Sequence, residues 1–195
     1  MKRLKTRLAG LLSLCALAST ALGALQAGDA APDFTAQASL AGKAFTYSLR
    51  NSLKKGPVVV YFYPSAFTGG CNIQAHTFAV KMDQFTTAGA TVVGVSLDNI
   101  DRLNAFSADP QYCAGKLAVA SDANGSIARS YGLKIMDAQA GMKDSRGAEI
   151  GHGFAERTTF IVLPSGKVAA TVGGLAPEAN VARALEDVQK LNASK

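Results

Sequence analysis

Hydrophobic and polar positions change rhythm several times along this chain, and each change marks an element. Val58-Val59-Val60-Tyr61-Phe62-Tyr63 is an unbroken β-branched and aromatic run that stops at Pro64. Such a run reads as a strand buried on both faces, as at the centre of a parallel sheet. From Cys71 to about Thr87 the period lengthens. Phe78, Met82 and Phe85 fall at i, i+4 and i+7, one face of a helix that Gly89 closes. Thr91 to Leu97 repeats the buried-strand pattern, and Asp98 and Asp101 then open a helix carrying Ile100, Leu103 and Phe106. Leu117 to Ala120 predicts a third strand, followed by a helix near 124–131 that stops at Gly132. Thr158 to Leu163 and Val168 to Val172 flank Pro164-Ser165-Gly166-Lys167, a hairpin signal. Pro177 suits the first position of a closing helix whose stripe is Val181, Leu185, Val188 and Leu191.

Two shorter alternating stretches, near 34–39 and 44–49, predict an N-terminal hairpin. Residues 134–157, rich in Gly, Ala and charge, predict no element and read as a long surface connection. The order of strands and helices describes an α/β fold of thioredoxin-like order, a mixed central sheet with flanking helices. A chain of 195 residues with 48% hydrophobic and 17% charged positions suits one globular domain, here 25–192.

The first residues stand apart from that domain. Lys2, Arg3, Lys5 and Arg7 precede an apolar stretch from Leu8 to about Ala18, and small residues follow. This is the layout of a signal peptide spanning 1–23, with cleavage after 27 as the alternative. The apolar core is short for a membrane span, and Cys15 lies too early in it, after Leu14, for lipoprotein processing. Residues 1–23 hold four of the 20 Lys and Arg and none of the 14 Asp and Glu, so the formal +6 falls to +2 beyond them. That small charge, with no basic stripe, argues against nucleic acid as a partner. The expectation is an exported protein, in a periplasm-like compartment, with no stable membrane association once the leader is gone.

Two cysteines remain, Cys71 and Cys113. In an oxidising compartment a pair most simply makes a structural disulfide, but the surroundings of Cys71 demand more. Tyr63-Pro64-Ser65-Ala66-Phe67-Thr68-Gly69-Gly70-Cys71 joins the first buried strand to its helix. Sites in open α/β sheets form beyond the carboxyl ends of strands. At the first turn of a helix, unpaired amides and the macrodipole favour an anion, so a thiol there is drawn toward the thiolate. The two glycines allow the loop backbone to approach the sulfur closely.

Pro64, Thr68 and Cys71 reproduce the P-x-x-x-T-x-x-C signature, and the chain resembles the peroxiredoxins. It is most similar to the bacterioferritin-comigratory-protein, or peroxiredoxin Q, group. Gly28-Asp29-Ala30-Ala31-Pro32-Asp33-Phe34 resembles that family's lead-in, and Arg157-Thr158-Thr159-Phe160 its downstream arginine. The resemblance implies a thiol-dependent peroxidase with no cofactor and no metal. Its partners would be a hydroperoxide substrate and a thioredoxin-like or small-thiol reductant. It implies Cys71 as nucleophile, Thr68 hydrogen-bonding the peroxide and the sulfur, Arg157 holding the thiolate, and Pro64 walling the pocket. For Arg157 the plain alternative is a surface ion pair with Glu156 or Asp122, and for Thr68 a turn or N-cap hydroxyl.

One position departs from the group. Many members place a resolving cysteine five residues after the nucleophile, where this chain has His76, which reads as a polar surface residue. Resolution can pass to Cys113, beyond Asp109-Pro110-Gln111-Tyr112. A permanent disulfide or an external resolving thiol are the other readings. His152 has no evident partner. A thioredoxin-type reductase would need a cysteine where Gln74 stands, and a copper-delivery protein one where Ala75 stands. A binding module of the same fold, without peroxidase activity, is the rival from another class.

Overall fold

The computed structural model describes residues 23–193, so the signal peptide expected over 1–23 lies almost wholly outside the described residues. The buried run after Pro57 is β3 (Val58–Phe62), and the lengthened period from Gly69 is α2 (Gly69–Thr87). β4 (Thr91–Ser96), α3 (Ile100–Ala108), β5 (Ala118–Ser121) and the short α4 (Ser126–Ser130) follow in the expected order. β8 (Thr158–Val162) and β9 (Val168–Gly173) form the hairpin, and α5 (Pro177–Ala193) closes the chain. The N-terminal hairpin is β1 (Thr35–Leu40) and β2 (Lys43–Ser48), and it runs into a helix that no period announced, α1 (Leu49–Leu53). Its five residues are too few to show a repeat; Ser48 starts it by accepting the Asn51 N–H at 3.3 Å.

Seven strands make one sheet in the order β2-β1-β5-β4-β3-β8-β9. β3, β4 and β5 are mutually parallel, while β8 runs antiparallel beside β3 and β1 antiparallel beside β5. The sheet is therefore mixed, as the element order implied. Val59, Tyr61 and Tyr63 face a core built with Phe78 and Phe85 of α2, Leu103 and Phe106 of α3 and Val181 and Leu185 of α5. Val58, Val60 and Phe62 face the other core, with Phe34, Leu49, Ala128 and Tyr131. Burial on both faces is why β3 has no polar alternation.

Residues 134–157 are not the plain surface connection that their composition suggested. They contain a two-stranded ribbon, β6 (Ile135–Met136) with β7 (Phe154–Ala155). They also bury Asp144, Ile150, Phe154 and Ala155. Strands of two residues carry no readable period, so composition alone misled. Among the described residues no helix is long and apolar enough to cross a membrane.

One packing contact makes a sharp demand. Tyr61 pairs with Gly94 across the parallel ladder, and a Cβ on Gly94 would lie 2.6 Å from the Tyr61 ring and hydroxyl. Gly94→Ala should cost about 1–3 kcal/mol by overpacking, read as a shift in the urea midpoint. Gly173→Ala, whose new methyl meets only the Thr158 hydroxyl at 3.8 Å, should shift it far less.

Candidate active site

The loop from Tyr63 to Thr68 leaves the carboxyl end of β3 and turns directly into α2. Thr68 is the N-cap and Cys71 the third helical residue. The Thr68 backbone is extended, but its hydroxyl makes no cap; it donates instead to Ser65 O at 2.8 Å. The first-turn amides thus lack a side-chain partner among the described residues and remain available to an anion beside the sulfur. Cys71 is only 2% exposed, and Pro64 and Thr68 are half-buried.

Arg157 arrives from the neighbouring strand. Because β8 is antiparallel to β3, with Phe62 opposite Thr158, the residue before β8 lies beside the end of β3. From there Arg157 Nη2 comes within 3.3 Å of Cys71 Sγ. Its Nη1 donates to Gln74 Oε1 and, at 3.4 Å, to Gly70 O. Asp122 is not its partner, since that carboxylate accepts the Ile127 and Ala128 amides at 3.0 and 2.8 Å. The glycines divide their work differently from the sequence expectation. A Cβ on Gly70 would sit 3.2 Å from Arg157 Nη2 and 3.3 Å from Pro177, whereas one on Gly69 would meet nothing. Gly70 makes room for the guanidinium, and Gly69 is open.

Behind Arg157 runs a buried polar chain that the sequence reading missed. Gln74 Nε2 donates to Asn180 Oδ1 at 3.0 Å, and the Thr159 hydroxyl donates to the same oxygen at 2.6 Å. Asn180 Nδ2 then donates to Val172 O at 3.0 Å. Gln74, Thr159 and Asn180 are fully buried. A signal existed: Gln74 is in phase with Phe78 on α2, and Asn180 with Ala184 and Val188 on α5. A polar residue inside an apolar stripe is there to bond something.

Asp98 ties down the other side of the loop. Its carboxylate is fully buried and accepts the Ala66 amide at 2.7 Å, the Ser65 hydroxyl at 2.8 Å and the Ser96 hydroxyl at 2.7 Å. Arg102 Nε lies 2.9 Å from it and His152 Nε2 2.8 Å, so His152 does have a partner, and a buried one. Burial pushes the Asp98 carboxyl up, but the bonds from His152, the Ala66 amide and Ser96 outweigh it and hold the group below its ordinary range. Arg102 also reaches Asp144 at 2.8 Å and donates to Ala66 O at 2.8 Å. Phe67, held at φ 60, carries the Arg146 guanidinium 3.2 Å from its ring centroid.

Cys113 is fully buried in the same core cluster as Cys71, and both are free thiols. Burial, with the Asp109 charge in second place, pushes the Cys113 thiol well up. Tyr61 sits near both sulfurs: its hydroxyl is raised far above the phenol range by burial first, then by Cys113 and Cys71. His76 is exposed, as expected, and its Nδ1 lies 2.9 Å from Gln111 O, two residues before Cys113.

The model of the AhpC/TSA family matches residues 27–171. A chloroplastic 2-Cys peroxiredoxin of Hordeum vulgare is 27% identical over 169 residues, 84% of this chain and 74% of that protein. Among solved structures, peroxidoxin BcpB of Mycobacterium tuberculosis superposes with a TM-score of 0.71 at 26% identity, covering 86% of this chain and 98% of that one. Xanthomonas campestris peroxiredoxin Q gives 0.62 at 25% identity, over 80% and 90%. With a thiol on the first turn after the central strand and an arginine brought to it by the antiparallel neighbour, this chain belongs to the AhpC/TSA family, as a thiol-dependent peroxidase of the peroxiredoxin type.

Proposed function

We propose that Cys71 is the nucleophile that reduces hydroperoxides, that Thr68, Arg157 and Pro64 complete its reaction site, and that Cys113 resolves the oxidised form. The observation that carries this reading is the Arg157 guanidinium 3.3 Å from a sulfur on the first turn of α2. As thiolate, Sγ attacks the terminal oxygen of the hydroperoxide and the O–O bond breaks. The other oxygen takes a proton and leaves as water or an alcohol, and Cys71 becomes a sulfenic acid. Arg157 and the first-turn amides stabilise the charge spread over sulfur and oxygens. The Thr68 proton is committed to Ser65 O, so its oxygen accepts the peroxide O–H rather than donating to sulfur.

Ionisation alone cannot supply the rate. An ordinary thiol is already a few per cent thiolate at pH 7, so complete ionisation gains only about thirtyfold. The larger part must come from contacts that tighten in the transition state, each worth roughly 2.7–4 kcal/mol if they resemble oxyanion-hole donors.

Resolution follows as attack of the Cys113 sulfur on the sulfenic sulfur, forming an intramolecular disulfide and releasing water. A dithiol of thioredoxin type, or a small thiol, then restores both thiols. Disulfide geometry requires the two Cα atoms to come within about 7 Å. Burial pushes the Cys113 thiol well up, so its surroundings must open to water for the attacking thiolate to form. We also infer export, with the leader removed after Gly23. Cleavage there keeps Leu25, whose amide donates to Tyr131 O at 3.1 Å and whose carbonyl accepts the Thr171 hydroxyl at 2.6 Å; cleavage after Ala27 would discard both.

One equivalent of hydrogen peroxide, with a sulfenic-acid trap, should label Cys71 and leave a monomeric Cys71–Cys113 disulfide when the trap is omitted. Cys71→Ser should abolish turnover with the fold intact, and parental turnover in that variant would end the assignment. Cys113→Ser should complete the first turnover and then stall as sulfenic acid; undiminished recycling with a protein dithiol would show that Cys113 does not resolve. Intact mass of the exported protein should give Ala24 as first residue, and retained Met1 would contradict export by cleavage.

A further inference from the structure

His152 belongs to the segment whose sequence predicted nothing, yet it ends on the carboxylate that holds the peroxide-reacting loop. Its two ring nitrogens each face an oxygen that can only accept. Nε2 lies 2.8 Å from Asp98 Oδ1 and Nδ1 2.8 Å from Gly153 O. A neutral imidazole has one N–H and must leave one of these contacts as two opposed lone pairs, whereas an imidazolium satisfies both. From Asp98 the bonds continue to the loop through the Ala66 amide and the Ser65 hydroxyl, and Ser65 O accepts the Thr68 hydroxyl. Every link is 2.7 or 2.8 Å long.

We propose that His152, as an imidazolium, is a positioning residue for the peroxide reaction, setting Ser65, Ala66 and Thr68 through the buried carboxylate of Asp98. The proposal rests on the reading of Cys71 as nucleophile, because Thr68 matters only if the reaction occurs beside it. When His152 loses its proton, one of its two contacts is lost, and an N–H kept on Asp98 no longer carries the positive charge that strengthened that bond. The Asp98 carboxylate then leans more on the Arg102 charge, and the loop loses part of its anchor.

The surroundings fix the direction. Burial pushes the His152 proton off, but the bond to Asp98, then the bond to Gly153 and the Asp98 charge, raise its affinity above the ordinary imidazole range. Arg102 on α3 opposes this with its own positive charge. Within the segment Asp144 is paired to Arg102 and Arg146, and Glu149 lines the same 430 Å³ cleft as Arg102, Arg146 and His152. Tyr63, behind Asp98 on the strand side, is held neutral by burial. For a group whose folded affinity for the proton is raised, the anchoring is complete below the ordinary imidazole range. It is lost as pH rises through the raised value.

The test uses the purified protein and its His152→Gln variant, which keeps a donor but cannot be charged. In NMR, the Ala66 amide of the parent should shift with the titration of His152, above the ordinary imidazole range, and should not do so in the variant. The single-turnover rate with hydrogen peroxide should be about three- to tenfold higher in the parent below that titration, the span of one net hydrogen bond. The parent-to-variant ratio should fall toward one above it, a change that a merely structural histidine would not produce. An Ala66 amide indifferent to the His152 proton sinks the proposal whatever Cys71 does, because that readout involves no peroxide. An amide that follows, with a ratio flat across pH, refutes the positioning role, and failure of the Cys71 assignment itself is read separately from the Cys71→Ser variant.

Discussion

A guanidinium 3.3 Å from a buried sulfur is the contact on which the rest of this structure turns. Each end of it is delivered by a different strand, and only an antiparallel neighbour puts the first residue of β8 beside the last of β3. A purely parallel sheet would bring the residue before β8 to the opposite edge, about five residues and some 16 Å away. The mixed topology is thus what brings Arg157 to Cys71. Arg157 is also a long side chain with rotamer freedom to lose. Gln74, Asn180 and Thr159 hold it by a chain of buried hydrogen bonds, and Gly70 leaves the space that it fills.

The sulfur end is held as firmly, but by charge. Asp98 is a carboxylate with no solvent, and such a group is tolerated only when nearly every lone pair is used. Here the partners come from four directions: the loop itself, the Ser96 hydroxyl at the end of β4, the Arg102 charge on α3 and His152 from the segment after α4. The loop between β3 and α2 therefore derives its shape from residues far away in sequence. Removing one donor would leave a buried charge short of a partner, so these positions act together rather than additively.

Much of this was legible before any coordinates. The two-faced burial of β3 followed from Val58 to Tyr63 lacking any polar alternation, and the stripe of Phe78 and Phe85 gave α2. Pro64, Thr68, Cys71 and Arg157 could be paired by resemblance, and the fold brings Arg157 to Cys71. What could not be read were contacts with no local period. Gln74 and Asn180 gave one clue, standing in phase with apolar neighbours, but which groups they bond depends on how α2 and α5 cross. Asp98 looked like a helix opener because an acidic residue before a helical run usually is one. In the fold it turns back into the loop, and Asn99 caps α3 instead, accepting the Arg102 amide at 2.9 Å. His152 was opaque for a stronger reason: its partner lies 54 residues away, and its own segment is ordered mainly by tertiary contacts.

The central claim is that Arg157 makes the Cys71 sulfur a fast reactant rather than a merely buried thiol. It is tested most directly by the second-order rate constant of the reduced protein with hydrogen peroxide, in the parent and in Arg157→Ala, with a thermal melt of each. The account predicts a loss of about a hundredfold or more, comparable to removing one oxyanion-hole donor, with the melt little changed. A rate within a few fold of the parent in a folded Arg157→Ala protein would contradict it.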